Sequence, residues 1–295
     1  MKILVTGGAG FIGSYLSREL SRKHEVIVFD NLFTGKKENL TEEIEFIKGD
    51  LRKICDLAKI PEVDVVFHLA SQTSASFSIK SPKLDAEINI LGTINLLNWC
   101  NEYGIKKIIY TSSAAVYGEP LYLPIDEEHP TNPISPYGIS KLSAEKYVLL
   151  YRNSIVLRLA NVYGKGGAKE GEAGVIQIFA EKAKNREQLE IFGDGTQTRD
   201  FINVKDAANA CMLALSYNGK ERIFNIGSGR ETSINELVEL FKKYEPNLKV
   251  KVKYLRRRRG DISRSYFDIS RARKELNFIP RVKLEDGIKE LLEIF

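Results

Sequence analysis

The sequence has few of the residues that build disulfide frameworks or metal sites. It holds three cysteines and three histidines in 295 residues, and none of them lies at the short spacing typical of zinc ligands. No stretch approaches the roughly 18 consecutive apolar residues of a membrane-spanning helix. These shortages predict a protein without a metal site, a disulfide framework or a membrane anchor.

The charge balance is mildly basic, with 44 Lys and Arg residues against 39 Asp and Glu residues and a net charge of +5. The densest basic run is "RRRRG" at 256–260. No aromatic residues are interleaved with it, so we expect no nucleic-acid partner. A basic excess also suits an enzyme for phosphorylated small molecules. The first strand candidate begins at residue 2, which leaves no room for a secretory leader and favours a cytoplasmic protein.

The first half of the chain alternates short apolar segments with helical patterns. Strands are expected at 2–6, 25–30, 44–50, 63–70 and 106–113, with one more in "SIVLRLANVYG". Long helices are expected at about 83–103 and 134–152. This alternation predicts an α/β fold with a doubly wound parallel sheet of the Rossmann type.

After about residue 165 the pattern becomes less regular. Short strands in "LEIFGDG", "RIFNIGSG" and "KVKYL" mix with helices at 204–217, 233–244 and 284–295. We therefore expect a first domain at 1–165 and, over most of 166–295, a smaller C-terminal α/β domain. The segment at about 199–217 is expected to return to the first domain.

The stretch "TGGAGFIG" lies between the first strand and the first helix. Gly7 permits a tight turn, Gly10 lets the backbone approach a pyrophosphate, and Gly13 lets helix and strand pack closely. The helix N-terminus adds free N–H groups and a partial positive charge. Asp30 ends the second strand, where a carboxylate can bind both ribose hydroxyls and would repel a 2′-phosphate. The motif therefore predicts NAD rather than NADP.

Two other strand ends carry polar side chains. Asp50 ends the third strand, where it either holds the adenine amino group or caps the helix that follows. His68 ends the fourth strand, and we interpret it as a satisfied structural residue rather than a catalyst.

The stretch "SPYGISK" places Tyr137 and Lys141 four residues apart on a predicted helix, so their side chains share one face. The preceding strand ends in "TSSAAVYG", which offers Ser112 and Ser113 at the same edge of the sheet. A free phenol has a pKa of about 10. We expect the Lys141 ammonium and a positive nicotinamide ring to lower that of Tyr137. Tyr137 could then accept the proton of a sugar hydroxyl, with Ser113 bonding the reacting oxygen. These residues predict hydride transfer at a secondary alcohol.

The motifs "TGGAGFIG", "FDNL", "HLA", "TSSAAVYG", "SPYGISK", "RLANVYG", "IFGDGTQTRDFINVKD" and "RRRRGD" resemble those of the extended short-chain dehydrogenase/reductases. Within that family the similarity is greatest to UDP-glucose (UDP-galactose) 4-epimerases. It runs from residue 2 to about residue 280. The resemblance implies that the domain at 1–165 binds NAD and that the domain over most of 166–295 binds a nucleotide sugar. It also implies a UDP-sugar substrate and transient oxidation at C4 to a 4-keto sugar, with no net redox change.

The resemblance also implies roles for individual residues. The implied catalytic residues are Tyr137, Lys141 and Ser113. The implied NAD contacts are Gly7, Gly10, Phe11, Ile12, Gly13, Asp30, Asn31, Asp50, Leu51, Leu69, Ala70, Asn89, Ser112, Tyr137 and Lys141. The implied substrate contacts are Ser113 and Tyr137, Asn161 on the diphosphate-sugar, Val175 and Ile176 beside uracil, Arg199 and Arg258 on the diphosphate, and Asp261 on the uridine ribose.

Several alternatives remain open at this point. Arg199 could instead pair with Asp200 or Asp206. Ser74 or Ser76 could bond the sugar, where some relatives carry a lysine, or only pack.

The substrate and the reaction also have alternatives. Related dehydratases and decarboxylases carry an acid just after the Ser/Thr, where this chain has Ala114 and Ala115. The small Ser265 favours room for an N-acetyl group. An epimerase or reductase of a UDP-N-acetylhexosamine, dTDP-sugar or GDP-sugar therefore stays open, as does a non-catalytic NAD-binding regulator. By resemblance, the helices containing 95–99 and 141–151 predict a homodimer, although their apolar faces could equally be internal core.

Overall fold

The computed structural model describes residues 1–167, 174–244, 251–257 and 261–293. A seven-stranded parallel sheet dominates it, in the spatial order β11-β6-β5-β4-β1-β2-β3. Its strands are β1 (Lys2–Thr6), β2 (Glu25–Asp30), β3 (Glu45–Lys48), β4 (Val65–His68), β5 (Lys107–Ser113), β6 (Ser154–Leu159) and β11 (Ile223–Ile226). The predicted doubly wound α/β fold is confirmed.

Short strands outside the large sheet form three pairs, β7 with β10, β9 with β12 and β8 with β13. They are β7 (Asn161–Tyr163), β8 (Leu189–Phe192), β9 (Thr198–Arg199), β10 (Phe201–Asn203), β12 (Thr232–Ser233) and β13 (Val252–Leu255). The α-helices are α1 (Phe11–Ser21), α2 (Ile54–Leu57), α3 (Ala75–Lys80), α4 (Pro82–Ala86), α5 (Gly92–Glu102), α6 (Pro136–Leu150), α7 (Val175–Lys184), α8 (Val204–Ser216), α9 (Ile234–Tyr244), α10 (Ser270–Leu276) and α11 (Leu284–Glu293).

Both faces of the large sheet are covered by helices. Along β1, Ile3 and Val5 join one apolar cluster with α1, α8 and α10, while Leu4 joins another with α5 and α6. This follows from the alternation of side chains along a strand and explains why the strands are nearly continuous apolar runs. A third cluster lies apart from the sheet, between α7, α9 and α11. It is the core of the smaller lobe.

Three details differ from the sequence-based expectation. The segment 222–229, assigned to the smaller domain, contains β11, which pairs in parallel with β6 at the edge of the large sheet. The stretch "SIVLRLANVYG" is two strands, because β7 leaves the large sheet to pair with β10. The helix expected at 83–103 is divided into α4 and α5 by a π-helical turn at Glu87–Leu91. The domain boundary near residue 165 stays a prediction.

Within the described ranges, no helix is long and apolar enough to cross a membrane. The same residues include no group of three or more His, Cys, Asp or Glu side chains placed to hold a metal ion.

Candidate active site

The glycine stretch forms a tight cradle between β1 and α1. Gly7 has a φ of +72°, and a Cβ there would lie 2.6 Å from the Ala70 amide nitrogen. A Cβ on Gly13 would overlap the Gly7 carbonyl oxygen. Gly10 precedes α1 without a side-chain cap, and the first turn has no acidic residue. Such a bare helix N-terminus fits the pyrophosphate of a dinucleotide.

Asp30, the last residue of β2, lies beside this cradle. Its carboxylate is buried and accepts the Ala9 N–H at 3.1 Å and the Leu32 N–H at 2.8 Å. Burial raises the pKa of Asp30, and these two hydrogen bonds lower it in part. Each carboxylate oxygen keeps a further acceptor position for a ribose hydroxyl. The residues therefore fit NAD.

Asp50 and Asn31 lie together beyond Asp30. Asn31 Nδ2 donates to Asp50 Oδ2 at 3.2 Å, and the Arg52 guanidinium makes two hydrogen bonds to the same carboxylate. Arg52 holds the pKa of Asp50 well below its usual range. The alternative that Asp50 caps the next helix is wrong, because α2 begins at Ile54 after Lys53.

The other predicted cofactor contacts lie around the same edge of the sheet. Phe11 and Ile12 open α1 directly after the cradle. Leu51 is buried in a core cluster, while Leu69 and Ala70 are half-buried beside Gly7. Their contacts with NAD stay predictions.

Tyr137 stands at the start of α6, which begins as the sequence predicts. Ser135 caps the helix by accepting the Gly138 N–H at 3.1 Å, and Pro136 occupies its first position. The Ser113 hydroxyl lies near that of Tyr137 and lowers the pKa of the phenol, so the predicted pair is brought together. Ser113 also accepts the Ala115 N–H at 3.2 Å.

Lys141 lies one turn further along α6 and is 2 % exposed. Its Nζ donates to the Thr111 carbonyl at 2.7 Å and lies 4.4 Å from the centroid of the Tyr110 ring. Burial lowers the pKa of Lys141 to about 7.

The lowered pKa that we expected for Tyr137 is not produced by the side chains around it. Burial raises the pKa of Tyr137, and the Ser113 hydroxyl offsets only part of that rise. The physical reason is that moving a phenolate out of water costs more free energy than an interaction with one hydroxyl group recovers.

His68 has the structural role that we expected. Its Nδ1 lies 2.8 Å from Thr6 Oγ1 and its Nε2 lies 2.9 Å from Thr93 Oγ1. Burial lowers the pKa of His68 to about 3, with a smaller contribution from the Lys141 charge. The ring is therefore neutral and links three elements behind the site.

The Ser112 side chain points away from the Ser113 hydroxyl. Successive side chains of a strand alternate between faces, and Ser112 Oγ donates to Glu145 Oε2 at 2.9 Å. Glu145 also forms a fully buried ion pair with Arg158. Arg158 in turn donates to the Tyr117 hydroxyl at 2.8 Å. An NAD contact of Ser112 would therefore use its backbone.

Two predicted diphosphate and ribose contacts meet at the smaller lobe. Arg199 donates to Asp261 Oδ1 at 2.5 Å and to the Ile262 carbonyl at 2.8 Å. Pairing with Asp200 or Asp206 is wrong, because Asp200 accepts N–H groups of 228–229 and Asp206 accepts those of 281–282. Burial lowers the pKa of Arg199.

The sequence did not single out Arg257, whose guanidinium donates to the Asp261 carbonyl at 3.0 Å. A basic residue three to five positions before Asp261 was the only available signal. Arg258, which we predicted instead, lies outside the described residues.

The other residues that we predicted to contact substrate have contacts within the protein that do not test this prediction. Asn161 is exposed at the start of β7 and donates to the Asp200 carbonyl at 3.2 Å. Val175 and Ile176 open α7, but the Ile176 side chain is buried in the core of the smaller lobe. Ser74 caps α3, accepting the Phe77 N–H at 3.1 Å, and lies 3.0 Å from Ser76. Sugar or uracil contacts of these residues stay predictions.

Sequence reasoning missed a buried polar cluster behind α6. It consists of Gln72, Asp85, Asn89 and Ser140, of which only Asn89 was predicted to contact NAD. No local pattern marks Asp85 as buried, since polar and apolar residues are mixed around it in "SPKLDAEIN".

A parallel sheet with a glycine cradle at its carboxyl edge defines a nucleotide-dependent enzyme of the Rossmann class. The model of the NAD dependent epimerase/dehydratase family matches residues 3–227. A relative from Methanocaldococcus jannaschii, named a putative UDP-glucose 4-epimerase, is 45% identical over 98% of this chain and 97% of its own. The chain belongs to the NAD dependent epimerase/dehydratase family, within the extended short-chain dehydrogenase/reductases, and its cofactor is NAD.

Two solved structures extend the comparison. A UDP-glucose 4-epimerase of Thermotoga maritima, solved with UDP-glucose, is 40% identical with a TM-score of 0.95 and coverage of 99% and 98% of the two chains. A UDP-N-acetylglucosamine 4-epimerase of Methanobrevibacter ruminantium, solved with UDP-N-acetylmuramic acid, is 36% identical with a TM-score of 0.94 and coverage of 99% and 97%. The two neighbours act on different sugars although they share the fold equally.

Proposed function

We propose that this protein catalyses NAD-dependent epimerisation at C4 of a UDP-hexose, interconverting UDP-galactose and UDP-glucose. The observation that carries the proposal is that Tyr137 lies beside Ser113, with the buried Lys141 one helical turn away. These groups lie at the carboxyl edge of the sheet, next to the cradle that fits a pyrophosphate. Names of relatives at up to 45% identity support the same reaction.

The protein's groups have distinct tasks in this reaction. Tyr137, as the phenolate, accepts the proton of the C4 hydroxyl and later returns it. Ser113 donates a hydrogen bond to the reacting oxygen, and the Lys141 ammonium together with the positive ring of the bound cofactor favours the phenolate. Bound NAD would supply the hydride acceptor for C4 and the hydride donor for the return to the opposite face of the sugar.

The residues after Ser113 support epimerisation over elimination. Ala114 and Ala115 form a short 3-10 turn at the place where dehydratases and decarboxylases carry an acid. An alanine cannot donate a proton to a leaving hydroxyl. Without that acid, the 4-keto sugar has only the return of hydride open to it.

The substrate's nucleotide end is proposed to bind at Arg199 and Asp261. A guanidinium matches two phosphate oxygens, and a carboxylate accepts the two hydroxyls of a ribose. Arg257, which contacts the same loop, would add a second positive charge.

A second candidate substrate is a UDP-N-acetylhexosamine. It is supported by the neighbour named a UDP-N-acetylglucosamine 4-epimerase, whose fold agrees with a TM-score of 0.94. The buried Ser265 is small enough to leave space for an acetyl group beside the loop that follows Asp261.

We also propose a homodimer formed through α5 and α6. Helix α6 exposes large apolar side chains, including Leu150 at 82 % and Ile139 at 52 %. A groove between them is lined by Ile94, Leu97, Tyr147 and Leu150. A Leu150→Glu variant should behave as a monomer in sedimentation analysis, whereas a Leu121→Glu variant, equally exposed elsewhere, should not.

The function is tested with purified protein, no added cofactor and UDP-galactose, following UDP-glucose by NMR. Formation of UDP-glucose without added NAD is the expected result, and UDP-N-acetylgalactosamine is tried in parallel. If neither sugar is converted, even with NAD supplied, the proposal is wrong. The alternatives are then a reductase activity or activity on another nucleotide sugar.

A further inference from the structure

A buried carboxylate lies behind the catalytic helix. Asp85, in α4, is 1 % exposed. Its Oδ1 accepts the Gln72 side-chain amide at 2.6 Å and the Asn89 amide at 3.2 Å. Its Oδ2 is buried with no hydrogen-bond partner among the described residues. Both donors are neutral amides, so the charge is not neutralised by an ion pair within this cluster.

The cluster is joined directly to the helix that carries Tyr137 and Lys141. Asn89 Nδ2 donates to Ser140 Oγ at 2.9 Å, and Ser140 Oγ donates to the Tyr137 carbonyl at 3.0 Å. Gln72 and Asn89 also exchange two hydrogen bonds, of 2.8 Å and 3.1 Å. Any movement of Asp85 relative to α6 would therefore break several buried hydrogen bonds.

Beyond these amides, Asp85 acts through its charge on three titratable side chains of the site. Burial is the main cause of the pKa shifts of Tyr137 and Lys141 on α6 and of Tyr110 on β5, and the Asp85 charge contributes a raising effect at all three. Glu145 contributes a larger raising effect at Lys141, and His68 is the neutral ring that the Lys141 charge also affects. A buried charge acts over this range because little water screens it.

We propose that Asp85 is a positioning residue whose buried, unpaired carboxylate, tied by hydrogen bonds to the catalytic helix, sets the pH range in which Tyr137 and Lys141 work. The inference rests on the proposed function, since it assigns these two residues the roles given above. Asp85 is buried and hydrogen-bonded to Gln72 and Asn89, so we assign it an action through the two side chains.

The charge has a specific signature in the pH profile of epimerisation. In Asp85→Asn, which keeps the shape of the side chain, Tyr137 and Lys141 both lose their protons at lower pH. Both limbs of the profile therefore shift towards acid, whichever of the two groups each limb reports. We expect both limbs to move towards acid by about one pH unit. A purely structural role would lower the rate without moving either limb.

Two further variants make this test decisive. Glu187→Gln removes an exposed carboxylate from the smaller lobe and should leave both limbs in place. Asp85→Ser removes the buried charge with less bulk and replaces Asp85→Asn if that variant does not fold. A folded Asp85 variant with both limbs at the wild-type positions overturns the proposal.

A second readout does not require any substrate. NMR of protein carrying isotope-labelled lysine, with the Lys141 signal assigned from its loss in Lys141→Met, follows the titration of that ammonium directly. In the Asp85 variants the midpoint should fall by about one pH unit. If no UDP-sugar is converted, the proposed function fails while this titration still decides the role of Asp85. An unchanged midpoint would overturn it.

Discussion

The carboxyl edge of the large sheet and the corner of the smaller lobe that contains Arg199 and Asp261, where we propose that the nucleotide sugar binds, use charge in opposite ways. At the sheet edge, Lys141 and Asp85 are buried, and neither forms an ion pair with another described residue. At the corner, Arg199 pairs with Asp261, and Arg264 pairs with Glu231, with Arg264 60 % exposed. Unpaired buried charges change each other's pKa values, whereas paired charges mainly fix geometry. Chemistry is therefore expected to depend on the first region and substrate affinity on the second.

The largest effect should follow from changing the sheet edge itself. Tyr137→Phe removes the proton acceptor and is expected to reduce epimerisation by roughly 10²–10⁴-fold. NAD content should stay that of wild type, measured after release from the purified protein. Tyr254→Phe, on an exposed strand of the smaller lobe, serves as the control. Wild-type turnover in Tyr137→Phe would show that another group carries the proton.

The next effect concerns stability and compares two arginine–glutamate pairs. Glu145→Gln leaves the buried Arg158 guanidinium without its counter-charge, at a cost of about 3–5 kcal/mol in the free energy of unfolding. Glu231→Gln breaks the exposed pair with Arg264 and should not measurably change it. Urea unfolding of the two variants gives the comparison. Equal losses would mean that burial does not distinguish the two pairs.

A smaller effect is expected at the corner, and it should appear in KM. Arg199→Met is expected to raise KM for the UDP-sugar by roughly 10–100-fold with little change in kcat, because charged hydrogen bonds to the diphosphate are lost. Steady-state kinetics measure this, with the exposed Arg273→Gln as the control. A loss of stability with unchanged KM would instead assign Arg199 to holding the loop at 261–262.

The smallest effect is an acid instability that belongs to the sheet edge. The pKa of His68 is about 3 in the folded chain, against an ordinary value of 6.5, so below that value the unfolded chain binds a proton that the folded chain excludes. Stability should therefore fall by about 2 kcal/mol as the pH drops from about 6.5 to about 5. His68→Gln should be less stable near neutrality but less sensitive to acid. Urea unfolding of the wild type and of His68→Gln at several pH values measures how the stability of each depends on pH. The same pH dependence in both proteins would contradict the assignment.

The parts of the site that could be predicted from sequence are those whose spacing along the chain fixes their geometry. Gly7 and Gly10 lie in the turn between β1 and α1, Gly13 lies in the first turn of α1, and Tyr137 and Lys141 lie one turn apart on a single helix. Local backbone geometry decides both arrangements, so the residues suffice to place them.

The parts that could not be predicted depend on contacts between distant segments. Asp85 and Gln72 meet only because α4 packs beside the loop after β4, and Arg199 finds Asp261 across 62 residues. β11 has the same alternating composition as a strand of the smaller lobe, and only its pairing with β6 assigns it to the large sheet. The hydrophobic periodicity and the composition of a segment do not tell which distant segment it contacts.

The π-helical turn at Glu87–Leu91 changes the phase of the helix that contains it. An ordinary α-helix advances about 100° per residue, and a turn closed one residue later offsets all that follows by about that angle. Before the offset, Asp85 faces the catalytic helix. After it, Leu96 and Trp99 face the sheet. Deletion of a single residue from this turn would preserve either the position of Asp85 beside the catalytic helix or the packing of Leu96 and Trp99 against the sheet, but not both. The number of residues in this short segment is therefore constrained by the structure, independently of which side chains they carry.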